Sequence, residues 1–242
     1  MRVRVEYETN KEELPIEFRR KYISHLKGVF ENYNQDLFTA LYGGNTHKSF
    51  CFGVFFYPEV KVAREGISLY SKRFSTTFCT PDVMMGVHLA NALMSSRNRW
   101  LPLADWDNQI KITSLTKLTE YPIVNNTVAF KALPPIIIRD HDEKTGKDWY
   151  LTWEDENFER VWKRNLQSEL VSVFHRDVRS DVEALQIKPV RLRKTVVLHY
   201  NIHIPVTIGS FVLEGEKYLL EYIYKSGIGS RRSMGFGCLD II

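Results

Sequence analysis

The chain opens with apolar residues at every second position: Val3 and Val5 alternate with Arg2, Arg4 and Glu6, the period of a strand with one buried face. Pro15 then stands where a helix can begin. Ile23, Leu26 and Phe30 recur at helical spacing, and a shorter helical stretch with Leu37, Phe38 and Leu41 ends at Gly43-Gly44. A loop to His47-Lys48 follows. Phe50, Phe52, Val54 and Phe56 alternate along the next strand, and residues Gly66 to Phe78 are its predicted partner. Beyond Pro81, Val83, Val87, Ala90 and Met94 make a helical stripe. Lys111, Thr113, Leu115 and Lys117 alternate with Ile110 and Ile112 to give a closing strand. Strand, helix, strand, strand, helix, strand is the order of a ferredoxin-like unit.

Near Asn125-Asn126 the pattern restarts with Val128 and Phe130, then Pro134-Pro135 and Ile136 to Ile138. Asp140 to Asp148 reads as a charged hairpin tip. Phe158, Trp162, Leu166, Leu170 and Phe174 fall four residues apart on a helix predicted from about Glu154 to about Asp177. Two strands follow, one with Val190 and Leu192 opposite Arg191 and Arg193, the next with Ile208 and Phe211 to Leu213. Leu219, Leu220 and Ile223 mark a last helix, with Lys225 in its final turn and Gly227 just past its end. The predicted fold is α+β: two tandem ferredoxin-like (RRM-like) halves packed together, residues 1–122 and 123–242, closed by a C-terminal glycine-rich loop.

Composition bounds the class without naming it. At 242 residues, with 44% apolar and 26% charged residues, the chain is an ordinary globular protein rather than a disordered or fibrous one. The net charge of +4 is modest, yet from Lys188 to Arg232 eight lysines and arginines face three glutamates. That local excess fits a polyanion partner, against the ordinary alternative of a solvated basic face. Cys51, Cys79 and Cys238 are odd in number and lack metal-ligand spacing, so ordinary thiols in a reducing compartment are expected, with neither a metal site nor a disulfide framework. With no leader-like segment and no run of about eighteen apolar residues, a cytoplasmic protein with no membrane partner is expected. No cofactor is predicted.

The segment Gly227 to Gly237 holds four glycines, Gly227, Gly229, Gly235 and Gly237, around Arg231-Arg232. Glycines permit positive φ and close approach, so successive amides can form a concave anion site to which guanidiniums add bidentate donors. A dinucleotide fingerprint is excluded because Arg232 stands where its third glycine belongs, and a Walker loop because no Gly-Lys-Ser/Thr follows. The plain alternative is a glycine turn with no ligand. Among single residues, His47 is a candidate base and His25, beside an apolar stripe, a weaker one. His199 and His203 would lie ~13 Å apart in an extended segment, too far for a shared metal. Asp105 and Asp107 around Trp106 have generic spacing.

The stretch Gly-Ile-Gly-Ser-Arg-Arg-Ser-Met-Gly-Phe-Gly resembles the glycine-rich loop of the CRISPR-associated endoribonuclease family that cuts repeat RNA, within a wider group of repeat-associated RNA-binding proteins. Lys188-Pro-Val-Arg-Leu-Arg193 is similar to that family's basic strand, and Gly209-Ser-Phe-Val-Leu-Glu-Gly215 to the strand before its last helix. Phe130 to Ile136 with Arg139, Lys48-Ser-Phe-Cys-Phe52 and Phe74-Ser-Thr76 carry the likeness through most of the chain.

The resemblance implies precursor CRISPR repeat RNA as partner, with other effector subunits, and metal-independent cleavage by a ribose 2′-OH leaving a 2′,3′-cyclic phosphate and a 5′-OH. Such a site needs a base, an acid and a cation for the phosphorane. His47, Tyr42 and Lys48 are the catalytic candidates. Many relatives have Leu-His where this chain has Leu41-Tyr42, and the tyrosine on some relatives' first helix falls here near Lys27, with Tyr33 nearby. Lys188, Arg191, Arg193, Lys194, Arg231 and Arg232, with the four glycines, are the expected RNA contacts. With the basic strand beside the glycine loop they would line one groove. The alternative function is a non-catalytic subunit that holds guide RNA in an effector complex.

Overall fold

The opening alternation becomes β1 (Arg2–Thr9), which buries Val3, Val5 and Tyr7 and leaves Arg4, Glu6 and Glu8 on the other face. This computed structural model describes residues 1–44, 47–103 and 106–242. The described residues divide into two units. The first comprises Met1–Glu120, Leu198–Ile202 and Ser233–Gly235; the second comprises Tyr121–Val197, His203–Arg232 and Phe236–Ile242.

In the first unit β1 is followed by β2 (Glu13–Leu14), α1 (Phe18–Tyr33), α2 (Gln35–Tyr42), β3 (Cys51–Phe56), β4 (Val60–Val62), β5 (Ile67–Leu69), β6 (Arg73–Cys79), α3 (Val83–Ser95), β7 (Trp100–Pro102) and β8 (Gln109–Lys117). The main sheet runs β3-β6-β1-β8-β7, all antiparallel. Its buried face packs Val5, Tyr7, Phe52, Phe78 and Ile110 with Tyr22, Leu26 and Phe30 of α1 and Leu89 and Leu93 of α3. A register shift between Glu6 and Tyr7 leaves Thr113 of β8 as the extra residue of a bulge.

Two expectations change here. The predicted strand from Gly66 to Phe78 is two strands: Ile67–Leu69 joins a small sheet ordered β2-β5-β4, and the main-sheet strand starts at Arg73 after Lys72 turns the chain at φ 52°. The apolar stripe assigned to α3 is its outward face. Val83, Val87 and Met94 are exposed, while Met85, Gly86, Leu89, Ala92 and Leu93 are buried. A helix apolar nearly all round gives its periodicity two solutions, and the sequence alone did not choose.

The second unit contains β9 (Thr127–Ala132), a hairpin of β10 (Ile138–Asp142) and β11 (Lys147–Leu151), α4 (Phe158–Phe174), α5 (Arg179–Ala184), most of β12 (Gln186–His199) and β13 (Ile202–Glu214), α6 (Lys217–Ser226), the first residue of a 3-10 turn at Arg232–Met234 and β14 (Leu239–Ile241), the residues Leu198–Ile202 and Ser233–Gly235 falling to the first unit. Its sheet order is β12-β13-β9-β14. Phe130, Trp162, Leu166, Leu170, Phe211, Leu220 and Ile223 form its core. Helix α4 stops three residues earlier than predicted because His175 turns left-handed, at φ 51°. Strands β12 and β13 meet at Tyr200-Asn201, both at positive φ, as a two-residue primed turn requires. His199 and His203 therefore flank a hairpin turn and do not lie along one extended segment.

In each sheet the third strand of the unit lies beside the first, the second lies outside the third, and the fourth lies on the other side of the first (β3-β6-β1-β8 and β12-β13-β9-β14), so the fold is a double ferredoxin-like α+β fold. The three cysteines are buried and outside any disulfide. No helix among the described residues is long and apolar enough to cross a membrane.

Candidate functional site

Asn34 ends α1 and begins α2: its side chain accepts the Leu37 N–H at 2.8 Å, satisfying an amide that the new helix leaves unpaired. That cap fixes where the short α2 begins, and Tyr42 is its last residue, before the C-cap Gly43. The Tyr42 ring packs on Phe38 and Phe30, with centroids 5.4 and 6.4 Å away. Two ammonium groups then converge on it. Lys27 Nζ from α1 lies 5.1 Å from the ring centre and Lys48 Nζ, from the segment entering β3, 5.0 Å. Each contact is within cation–π range.

The electrostatics follow from this crowding. Burial pushes the Tyr42 phenol above its ordinary pKa, so at neutral pH it is a hydrogen-bond donor and not a base. Burial, with repulsion from Lys27, lowers the Lys48 ammonium below its ordinary value. His47 precedes Lys48 and is exposed. The structure thus brings Tyr42 and Lys48 together and adds Lys27, which the sequence singled out only as a mismatch to the relatives' tyrosine. Spacing held the missed signal: Lys27 and Phe30 share one end of α1, and Phe30 is a ring on which Tyr42 packs.

His25 is not a second base. It is buried, between the rings of Tyr7 and Tyr22, and burial drives its pKa down to about 4. Asp105 lies outside the described residues, and Asp107 pairs with Lys11.

The glycine segment, the expected anion site, uses several of its amides within the protein. The Gly227 N–H donates to Ile223 O, Ile228 N–H to Gly237 O, Ser230 N–H to Ile137 O and Gly237 N–H to Pro135 O. These amides are used inside the second unit. A Cβ on Gly237, at φ +66°, would stand 1.9 Å from the Ile228 carbonyl oxygen, and one on Gly229 2.3 Å from that of Ile137. Those two glycines are required by backbone packed on backbone. Gly227, Gly235 and Gly237 are buried.

Arg232, one of the expected RNA contacts, is engaged inside the protein. Its side chain is 8% exposed, and its guanidinium donates to Glu169 Oε2 at 2.5 Å and reaches Ser226 Oγ and the Gly227 carbonyl. Tyr222 donates to the other Glu169 oxygen, its phenol pKa raised by burial and by that carboxylate. Arg231 keeps partial exposure. It donates to the Tyr150 hydroxyl at 2.7 Å and lies 3.9 Å from Asp148, which also meets Arg139 and His141. Burial raises the pKa of the Asp148 carboxyl, but these partners outweigh it and hold the group below its ordinary range.

The basic strand β12 carries Lys188, Arg191, Arg193 and Lys194 exposed. Lys188 pairs with Glu214 at 2.5 Å. Arg191 and Arg193 have no ion pair among the described residues. The expected groove beside the glycine loop does not form by strand adjacency, because β12 and β14 are opposite edges of the sheet.

A family model for the C-terminal part of the CRISPR-associated protein Cas6 matches residues 117–241. Among solved structures the chain is similar to a Cas6-related protein from Pyrococcus furiosus, at 18% identity over 100% of this chain and 98% of that one, with a TM-score of 0.86. It is similar to a RAMP protein described as binding different RNA substrates, at 17% identity over 100% and 99% of the two chains, TM-score 0.84. A Cas6 product complex gives 16% identity over 100% and 99%, TM-score 0.70. At these identities the likeness is one of fold. A comparison with curated proteins returns no match.

Proposed function

The chain belongs to the CRISPR-associated Cas6 family, and we propose that it binds CRISPR repeat RNA and cuts it by metal-independent transesterification. The ribose 2′-oxygen attacks the adjacent phosphorus, the bond to the 5′-oxygen breaks, and a 2′,3′-cyclic phosphate and a 5′-OH remain. One observation carries the reading: two ammonium groups converge on a neutral phenol, and an exposed histidine directly precedes one of those lysines in the chain. Lys48 and Lys27 supply charge for the phosphorane, where fixed cations in a partly dry site act most strongly. Tyr42 holds its proton and donates it toward the leaving 5′-oxygen. His47 takes the 2′-proton, since imidazole ordinarily titrates near neutrality at a pKa of about 6.5. Arg191 and Arg193 hold the phosphate backbone.

The purified protein should cut a repeat transcript in EDTA and leave the same RNA intact when the nucleotide at the cut carries a 2′-deoxy sugar. Equal cleavage of both removes the mechanism. His47→Ala should slow single-turnover cleavage at least about tenfold, as loss of a general base does, without weakening binding.

A second reading has one observation in its favour. Tyr42 occupies the position where the resemblance implies histidine, and its raised pKa withholds it from base catalysis. A subunit that holds guide RNA without cutting it fits that substitution, as does the likeness to a protein described as binding different RNA substrates. Tight repeat binding with no product over hours would decide for it.

A further inference from the structure

The main sheet of the first unit carries a polar cleft on the face turned away from its helices. Across that face Phe55, Ser75, Glu6 and Ser114 are register partners on β3, β6, β1 and β8. Arg73 lies one step along β6. The cleft, about 610 Å³, is lined by Glu6, Tyr57, Ser71, Arg73, Thr113 and Ser114. That volume is in the ordinary range for a small-ligand site, about 300–1,000 Å³. Tyr57 donates its hydroxyl to Glu6 Oε2 at 2.5 Å, which helps to orient the carboxylate. Phe55, 57% exposed, meets Tyr57 edge to face with ring centres 5.4 Å apart. The bulge at Thr113 widens the strand gap beside Glu6, and the Thr113 hydroxyl donates to the Glu6 carbonyl. Glu8, beside Arg73, is engaged by Lys111 at 3.0 Å, and Arg73 is exposed with no ion pair among the described residues.

These groups make a consistent set for one ligand chemistry. An exposed ring, Phe55, and a half-buried one, Tyr57, offer stacking to any base, an oriented carboxylate offers two adjacent acceptors, and a lone guanidinium suits a phosphate. Guanine is the one RNA base whose Watson–Crick edge presents two adjacent donors, N1–H and the N2 amino group. Adenine, cytosine and uracil each set an acceptor against one carboxylate oxygen. Resting on the RNA-binding reading above, we propose that this cleft takes one unstacked guanine of the bound strand, its donor edge on Glu6, its face on Phe55 or Tyr57 and its phosphate on Arg73. The site would give the protein a sequence preference at a point separate from the Tyr42 cluster.

The test uses the full chain and fluorescein-labelled single-stranded RNAs: an oligouridylate of fifteen nucleotides, and the same strand with one central guanosine, adenosine or cytidine. Fluorescence anisotropy at fixed salt should give at least about tenfold tighter binding for the guanosine strand, the scale of a bidentate base contact. Glu6→Gln keeps an acceptor for the Tyr57 hydroxyl, so the fold survives, as a thermal melt checks, but turns an amide donor toward guanine. It should bring the four strands within about twofold of one another, leaving oligouridylate affinity unchanged. Tyr57→Phe, which keeps the ring and frees the carboxylate, should lose part of the preference and none of the uridylate binding. Arg73→Gln should weaken all four strands alike and reduce the salt slope by about 0.7, one single-strand phosphate contact.

A wild-type protein that binds the four strands equally, or a guanosine preference that survives Glu6→Gln, overturns the proposal while the RNA reading stands. Guanosine monophosphate bound as tightly as the guanosine strand would make this a free-nucleotide site and equally overturn it. If the four strands and a repeat transcript all fail to bind, the RNA reading itself falls, and this site with it.

Discussion

An arginine next to a glycine-rich bend is open to a ligand only if nothing inside the protein has already engaged it. Arg231 and Arg232 are neighbours in sequence, yet Arg231 adopts φ +57° and keeps part of its guanidinium at the surface, while Arg232 turns inward to Glu169. Sequence reading gave both the same role, because a pair of basic residues carries no mark of which will be buried. Arg232→Ala would strand the Glu169 carboxylate, already shared with Tyr222, and should cost about 3–5 kcal/mol in urea unfolding. Arg191→Gln, a change on an exposed strand, should stay within about 0.5 kcal/mol. Equal stabilities for the two variants would remove the structural role of Arg232. The same contrast applies to glycines. Gly237→Ala sets a Cβ 1.9 Å from a carbonyl oxygen at positive φ, and should cost well over the roughly 1–2 kcal/mol of a left-handed alanine alone. Gly44→Ala meets nothing within 4 Å, and its melting temperature should match the wild type.

At the scale of elements, the Tyr42 cluster depends on three short features arriving at one place: the end of α1, the capped α2 and the entry to β3. The helical stripes and the Gly43-Gly44 stop were legible, so the site's neighbourhood was predictable. Its composition was not, because which residue of α1 faces Tyr42 depends on the angle that Asn34 sets between the two helices, and no local pattern encodes that angle. The element scale also carries a pH dependence. Lys48 has its pKa lowered by burial and by Lys27, and catalysis in the proposed scheme needs its charged form. The ammonium is present below the lowered pKa and is lost as pH rises through it. Cleavage should therefore fall on the alkaline side at a pH below 10.5, the ordinary value for lysine. Lys27→Met removes the like charge and should move that alkaline limb upward, while Lys48→Arg should abolish it within the accessible range. A limb that ignores both variants would assign the alkaline loss to another group. Asn34→Ala should cost roughly 1 kcal/mol and appear in hydrogen exchange as faster opening of α2 amides ahead of the main sheet.

For the whole molecule, the alternating and helical periods were enough to read two ferredoxin-like units, because each sheet strand hides one face and each helix one stripe. Where the fold departed from expectation, periodicity had two solutions, as in α3, or a single residue ended an element, as Lys72 and His175 do by turning left-handed. The candidate RNA contacts divide between the units in a way that spacing could not reveal: Lys27, Tyr42 and Lys48 lie in the first, Arg191 and Arg193 in the second. This division predicts that holding the strand and cutting it are separable. Arg191→Gln with Arg193→Gln removes two exposed cations of the second unit's edge strand. The double variant should weaken repeat RNA binding and reduce the single-strand salt slope by about 1.4, two contacts of roughly 0.7 each. Its single-turnover rate at saturating protein should be unchanged. Lys48→Met should do the reverse, slowing the saturated rate by about 10² or more with little change in affinity. Combining all three substitutions should give the product of the separate effects, the additivity expected if holding and cutting are independent. A saturated rate that falls with the arginine pair would mean that the strand is positioned for attack by β12 as well as held there, and would join the two sites into one.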